Sequence, residues 1–202
     1  MRANLASVSG VQALARELRT LEPSLDVLVN NAGTSSVGCF ETFSEHDWDT
    51  VMDLNVKAPF FLTQATLDLL QAAAAKNRSA KVINISSVDA IRLNARETYS
   101  YGASKAALIK LTEQMAARLI ALNIVVSAIA PGAFVSDMNI AARDYGTLLA
   151  QRVPAKRIGQ PEDMAGAAVF LASRAGDYVV GATLTVDGGF THALPTHGVP
   201  LQ

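Results

Sequence analysis

Four short apolar runs alternate with longer stretches of helical periodicity, and this alternation narrows the fold more than any other feature. The runs are residues 25–30 (LDVLVN), 81–85 (KVINI), 124–129 (IVVSAI) and 183–186 (TLTV). Each is apolar through its length rather than on every second residue, as expected of strands buried on both faces of a parallel sheet. Between them, residues 8–21 place Val11, Leu14, Leu18 and Leu21 on one helical face. Pro23 and Ser24 end that helix. Ser44 is a candidate N-cap for a helix through Trp48, Val51, Met52 and Leu54. Further helices are predicted over residues 59–75, 99–122 and 161–171, the last opened by Pro161 at a position that tolerates proline. Residues 133–159 read as loop or short helix. Strands alternating with helices give a doubly wound α/β layout, Rossmann-like, in a single domain over residues 1–190. Residues 191–202 hold two prolines and little periodicity, and read as a tail.

Composition narrows the function classes. The chain has 202 residues, 50% hydrophobic and 17% charged, with a formal net charge of −1. It is long enough for one well-buried core. Neither the balance nor the scatter of its lysines and arginines suggests nucleic-acid binding. Cys39 is the only cysteine, and His46, His192 and His197 have no ligand spacing, so no metal site is expected. The amino terminus carries no apolar stretch of signal-peptide length, and no run approaches membrane-spanning length. A cytoplasmic protein is the expectation.

Chemistry concentrates in Tyr101-Gly102-Ala103-Ser104-Lys105, with Ser87 upstream at the end of an apolar strand. A tyrosine four residues before a lysine shares a helix face with it. An unperturbed phenol titrates near ~10, and a neighbouring ammonium is expected to bring it down towards working range. Ser87 is then placed to hold a substrate oxygen while Tyr101 gives or takes its proton.

These segments resemble the short-chain dehydrogenase/reductase family. Asn30-Asn31-Ala32-Gly33 is similar to the family's motif after a sheet strand, Leu54-Asn55-Val56 to its helix asparagine, and Ile85-Ser86-Ser87 to the strand ending in its serine. Tyr101 to Lys105 matches its Y-x-x-x-K signature. Pro131-Gly132 with Ser136 resembles its nicotinamide loop, although threonine is commoner at the last position. Val186-Asp187-Gly188-Gly189 resembles its final strand and turn. The resemblance covers nearly the whole chain, with the motifs in the family's order.

The resemblance implies a set of roles. Tyr101 would be the general acid/base. Lys105 would lower its pKa and bind the nicotinamide ribose. Ser87 would orient the substrate carbonyl, and Asn55 would hold a water linking Lys105 to solvent. Asn31, Ala32 and Gly33, with Pro131, Gly132, Phe134 and Ser136, would line the cofactor cleft together with Tyr101 and Lys105. The similarity is strongest to 3-oxoacyl-acyl-carrier-protein reductases of the rhamnolipid-associated subgroup. It therefore implies NADP (NAD being possible), a 3-oxoacyl thioester, an acyl carrier protein as a possible partner, and a homo-oligomer, tetramer or dimer, built partly on the helix carrying Tyr101. Arg92, Arg96, Phe134, Met138 and Leu148 would wall the substrate space, and Arg78 would contribute to a basic docking patch. A sugar, polyol or other small-alcohol dehydrogenase, and a non-catalytic shortened relative, are the alternatives.

The family's glycine-rich pyrophosphate turn has no counterpart. Gly10, Gly33 and Gly38 do not supply the G-x-x-x-G-x-G spacing. The chain resembles a truncated member that opens near the end of the family's third strand. Elements amounting to roughly 50–60 residues at ordinary lengths would precede it in a complete member. The strand at residues 25–30 is then expected to lie at an open sheet edge.

Overall fold

A computed structural model describes residues 2–75, 78–93, 96–136 and 140–193. Four parallel strands form one sheet in sequential order: β1 (Val27–Asn30), β2 (Ala80–Ile85), β3 (Ile124–Pro131) and β4 (Thr183–Val186). The helices are α1 (Val8–Leu21), α2 (Glu45–Met52), α3 (Ala58–Ala65), α4 (Leu67–Ala74), α5 (Tyr99–Leu119), α6 (Ile140–Asp144), α7 (Gly146–Arg152) and α8 (Pro161–Ala172). The architecture is the expected Rossmann-like one, with helices on both faces of a parallel sheet.

The two faces follow from strand alternation. Val82 and Val126 point to one side, where they pack with Leu70 and Ala73 of α4 and Met115 and Ala116 of α5. Ile83 and Ile129 point to the other, against Leu171, Met164 and Ala168 of α8. All of these but the partly buried Met164 and Ala168 are fully or nearly fully buried, and this burial is the main stabilising contribution to the fold. Helix α1 packs on α3 through Val11, Ala58 and Leu62.

Local chemistry sets the boundaries. Ser7 caps α1 by accepting from the Gly10 N–H at 3.2 Å, and Ser44 caps α2 by accepting from the Asp47 N–H at 3.1 Å. Asn123 ends the helical run after α5 in the left-handed region (φ 56°), which asparagine tolerates better than most residues. Its side chain donates to the Ala74 and Arg78 carbonyls.

The structure corrects several expectations. The α1 face is set by Val11 and Ala15, both buried, while Leu21 is 60% exposed. The helix expected over residues 59–75 breaks at Thr66. The Thr66 hydroxyl donates to the Leu62 carbonyl at 2.8 Å, and its backbone leaves helical geometry (φ −106°, ψ 10°). Residues 53–57 form a π-turn joining α2 to α3 without a break. Residues 133–159 contain the short helices α6 and α7, in keeping with the expected loop or short helix. Within the expected tail, the Thr191 N–H donates to Asp187 Oδ2 and the Ala193 N–H to the Gly189 carbonyl, which ties both residues to the turn after β4. The rest of the tail, residues 194–202, lies outside the described residues. Among the described residues β1 pairs with β2 alone, so it forms a sheet edge there.

Candidate active site

Three side chains meet where β2 ends. Ser87 follows β2 by two residues, and its hydroxyl accepts from the Asp89 N–H at 3.1 Å. The same side chain stands near enough to the Tyr101 hydroxyl to pull the phenol's pKa down. Tyr101 lies in the first turn of α5 and Lys105 one turn later, on the face turned to the sheet. The Lys105 ammonium is 5.7 Å from the centre of the Tyr101 ring and donates to the Ile85 carbonyl at 2.7 Å. Lys105 is 4% exposed.

Burial controls the protonation of both groups. It pushes the Lys105 amine down to about 8, because a charged form loses hydration there. It also pushes the Tyr101 phenol above its ordinary value. Ser87 pulls that phenol back, and the Asp89 carboxylate pushes it up further. The expectation that Lys105 lowers the phenol is therefore corrected. The downward pull comes from Ser87, and the ammonium is directed to the strand carbonyl. The phenol is a held proton donor rather than a phenolate.

Asn55 sits in the π-turn, fully buried. A π-turn adds a residue to the helical ladder and reorients the side chains around it, and such turns recur at functional sites. Asn55 Nδ2 donates to the Thr34 carbonyl (2.9 Å) and to Ser104 Oγ (3.0 Å), and its Oδ1 accepts from the Thr34 N–H (2.9 Å). These contacts pin the segment after β1 to α5. Gly33 lies in that segment. A Cβ there would stand 3.2 Å from Asn55 Oδ1 and 3.4 Å from Lys105 Nζ. Its bare backbone thus opens a space lined by the ammonium, as close approach of a ligand requires. Asn31 and Ala32 precede it, both exposed.

The opposite wall is the end of β3. The Gly132 N–H donates to the Val186 carbonyl at 3.0 Å, and a Cβ on Gly132 would lie 2.8 Å from Asp187. Pro131 pairs in register with Val186. Phe134 bridges to Gly159 and lines a cavity of about 240 Å³ with Arg157, Asp163 and Asp187. Ser87, Tyr101 and Lys105 are not among its walls. Ser136 is exposed at the end of this stretch.

The expected substrate-wall and docking residues divide. Arg92 donates to the Phe190 carbonyl and stacks over the Phe190 ring at 4.5 Å, so it joins the loop after Ser87 to the turn after β4. Arg78 is paired with Asp26. Both cations are exposed and have partners within the chain. Leu148 is exposed, Arg96 lies in the loop before α5, and Met138 lies outside the described residues. Two neighbours of the cluster were not singled out from sequence, Ser104 and Asp89. Their signal was proximity: one precedes Lys105, and the other follows Ser87 by two residues.

No metal-ligand cluster occurs among the described residues, and none of their helices is long and apolar enough to cross a membrane. A phenol, a hydroxyl and an amine converging at the carboxyl edge of a parallel sheet can hold a carbonyl oxygen and move a proton to it. The class so defined is an oxidoreductase that works on carbonyls and alcohols with a nicotinamide cofactor.

Comparison with known proteins agrees. The family described as Enoyl-(Acyl carrier protein) reductase matches residues 1–191. The rhamnolipids biosynthesis 3-oxoacyl-[acyl-carrier-protein] reductase of Pseudomonas aeruginosa is 42% identical over 191 residues, 93% of this chain and 75% of the relative. The 2-dehydro-3-deoxy-D-gluconate 5-dehydrogenase of Dickeya dadantii is 38% identical over 193 residues, 94% and 75% of the two chains. Among solved structures, the Pseudomonas aeruginosa RhlG/NADP active-site complex superposes with a TM-score of 0.90 at 40% identity, covering 95% of this chain and 76% of that one. The gluconate 5-dehydrogenase of Burkholderia cenocepacia in complex with NADP and tartrate gives 0.85 at 36%, covering 94% and 74%. The chain belongs to the short-chain dehydrogenase/reductase family of NAD(P)-dependent oxidoreductases.

Proposed function

We propose that this protein interconverts a ketone and a secondary alcohol with NADP(H), and that its substrate is a 3-oxoacyl thioester. The observation that carries the reading is the convergence of Ser87, Tyr101 and Lys105 at the end of β2. In the reducing direction the substrate carbonyl oxygen accepts hydrogen bonds from Ser87 and Tyr101. The Tyr101 hydroxyl gives up its proton to that oxygen as charge develops on it. Its raised pKa keeps the proton in place until then. Lys105, held to Ile85, presents its remaining N–H bonds towards the space beside Gly33, where they would meet a ribose hydroxyl. A positive charge there stabilises the tyrosinate left behind. NADPH, when bound, supplies the hydride. Asn31, Ala32 and Gly33 would line one side of its nicotinamide half, and Pro131, Gly132, Phe134 and Ser136 the other. Asn55 holds the Thr34 segment and Ser104 in place, and a water on this network would relay protons from Lys105 to solvent.

The acyl reading is supported by the rim. The segments between β1 and α2, between β2 and α5, and between β3 and α8 expose Phe40 (73%), Ile91, Leu93 (95%), Val135, Tyr145 and Leu148. Exposed apolar side chains suit an acyl chain and offer little to a polyol. The sugar-acid relatives keep a small-alcohol dehydrogenase as the second reading. We also assign the protein to the cytoplasm as a homo-oligomer, dimer or tetramer. Helix α5 mixes Ala103 and Ala106 with Lys110 and Glu113 on its outer face. Exposed Val169 and Phe170 on α8, with Tyr178 beyond it, make that region the better candidate for contact between copies.

The test is NADPH consumption with acetoacetyl thioester, set beside NADP reduction by a panel of polyols and aldonic acids. Turnover of the thioester is expected. Activity confined to the polyols or aldonic acids contradicts the acyl reading. An absence of NADPH binding contradicts the enzymatic one.

A further inference from the structure

Four consecutive residues at the end of β2 each touch α5. Asn84 Nδ2 donates to Thr112 Oγ1 at 2.8 Å, the Ile85 carbonyl accepts from Lys105 Nζ at 2.7 Å, and Ser86 Oγ donates to the Lys105 carbonyl at 2.9 Å. Ser87, next along, stands beside the Tyr101 hydroxyl and pulls its pKa down. The helix partners, Thr112, Lys105 and Tyr101, are spaced by seven and four residues, which puts them on one face. Strand and helix are therefore fastened along a line that ends at the site.

The line continues away from the site. Asn30 Nδ2 donates to Asn84 Oδ1 at 2.8 Å across the β1–β2 register and approaches Thr63 Oγ1 at 3.3 Å. The Thr63 hydroxyl donates to the Pro59 carbonyl at 2.7 Å, and Thr112 donates to the Leu108 carbonyl at 2.8 Å. Asn84 and Thr112 are both fully buried. The layer around them is apolar, with Val82, Val126 and Met115 in the adjoining core. A satisfied polar pair in such a place contributes little net stability over an apolar pair of the same volume. Its distinctive property is direction: a hydrogen bond fixes distance and angle, whereas apolar contact lets a helix slide.

We propose that Asn84 and Thr112 are positioning residues, whose hydrogen bond sets α5 along β2 so that Lys105 meets the Ile85 carbonyl and Tyr101 meets Ser87. The inference rests on the proton-transfer reading above. It assigns Thr112, two turns beyond Lys105 on the same helix face, a share in the geometry of the reaction.

The experiment compares Thr112→Val, which is isosteric but cannot bond Asn84, with Thr112→Ser, which can. Three quantities are measured on the full chain: the melting temperature, kcat and KM with NADPH and acetoacetyl thioester, and the Lys105 titration midpoint from its side-chain ¹³C resonance. In Thr112→Val, kcat is expected to fall roughly ten- to hundredfold, the scale of a misplaced reacting group, with KM within about twofold. The Lys105 midpoint is expected to fall below about 8, because the amine stays buried but loses the carbonyl that accepts from its charged form. Thr112→Ser restores both. A lower melting temperature with kcat and the Lys105 midpoint unchanged overturns the proposal. If the unsubstituted chain turns over no thioester, the proposed function fails, and the Lys105 midpoint still decides the positioning role. Thr112→Ala, which cannot overpack, gives the same comparison if the valine variant does not fold.

Discussion

The Lys105 ammonium is bonded to the carbonyl of Ile85, on the strand that leads directly to Ser87. One buried cation thus ties the helix bearing Tyr101 to the strand end bearing the hydroxyl that Tyr101 meets. This arrangement makes Lys105 both a part of the site and a burden on the fold, and the burden is measurable.

Lys105 titrates at about 8 in the folded chain, against an ordinary 10.5. Its folded pKa lies below its unfolded one. Below pH 8 both states are protonated, and the folded state carries the full desolvation penalty. Between pH 8 and 10.5 the unfolded state binds more protons, so this group makes stability rise with pH until the penalty is gone. The penalty is on the order of 3 kcal/mol. Lys105→Met is expected to be more stable than the native chain at neutral pH, by about 1–3 kcal/mol after the lost hydrogen bond is counted. The difference should close as pH rises. Denaturant unfolding of both proteins across this range checks it, and parallel pH profiles would contradict the burial of the ammonium.

Gly33 faces Asn55 and Lys105 with no side chain of its own. Gly33→Ala places a methyl 3.2 Å from Asn55 Oδ1 and 3.4 Å from Lys105 Nζ. The crowding is mild and should cost the fold about 1–2 kcal/mol. The space beside the ammonium is lost, however, so NADPH affinity is expected to fall about tenfold or more, since 1.4 kcal/mol corresponds to a factor of ten. Fluorescence titration with NADPH is the measurement. An unchanged dissociation constant would mean that the cofactor does not approach this backbone.

Away from the site, Lys81 on β2 is 3% exposed in its side chain and pairs with Asp177 at 2.6 Å. The Lys81 hydrogen bond holds the Asp177 carboxyl below its usual range. Asp177→Asn leaves a buried ammonium without its counter-charge and should destabilise the chain by about 2–4 kcal/mol. Adding Lys81→Met should recover most of the loss. Urea unfolding of the single and double variants tests this, and a single variant as stable as the native chain would contradict it.

Most of the layout was legible because it depends on local pattern. The apolar runs of β2, β3 and β4, the Ser44 cap and the Pro161 start follow from side chains acting on their own neighbourhood. What escaped depends on partners distant in sequence or on a competing local bond. At Thr66 the backbone leaves helical geometry where the hydroxyl takes the Leu62 carbonyl, and the π-turn at Asn55 accompanies an amide that binds Thr34 and Ser104. The spacing of Tyr101 and Lys105 correctly put them on one face. The sign of the Tyr101 shift did not follow from spacing, because burial outweighs a neighbour whose ammonium is bonded elsewhere.

The central claim is that the Tyr101 hydroxyl carries the proton exchanged with the substrate oxygen. Single-turnover NADPH oxidation with acetoacetyl thioester, comparing the native chain with Tyr101→Phe, tests it most directly. The account predicts a fall in the chemical rate of at least about a hundredfold, the ordinary share of a general acid, with NADPH still bound and the fold intact. A Phe variant that reduces the thioester at the native rate would contradict it.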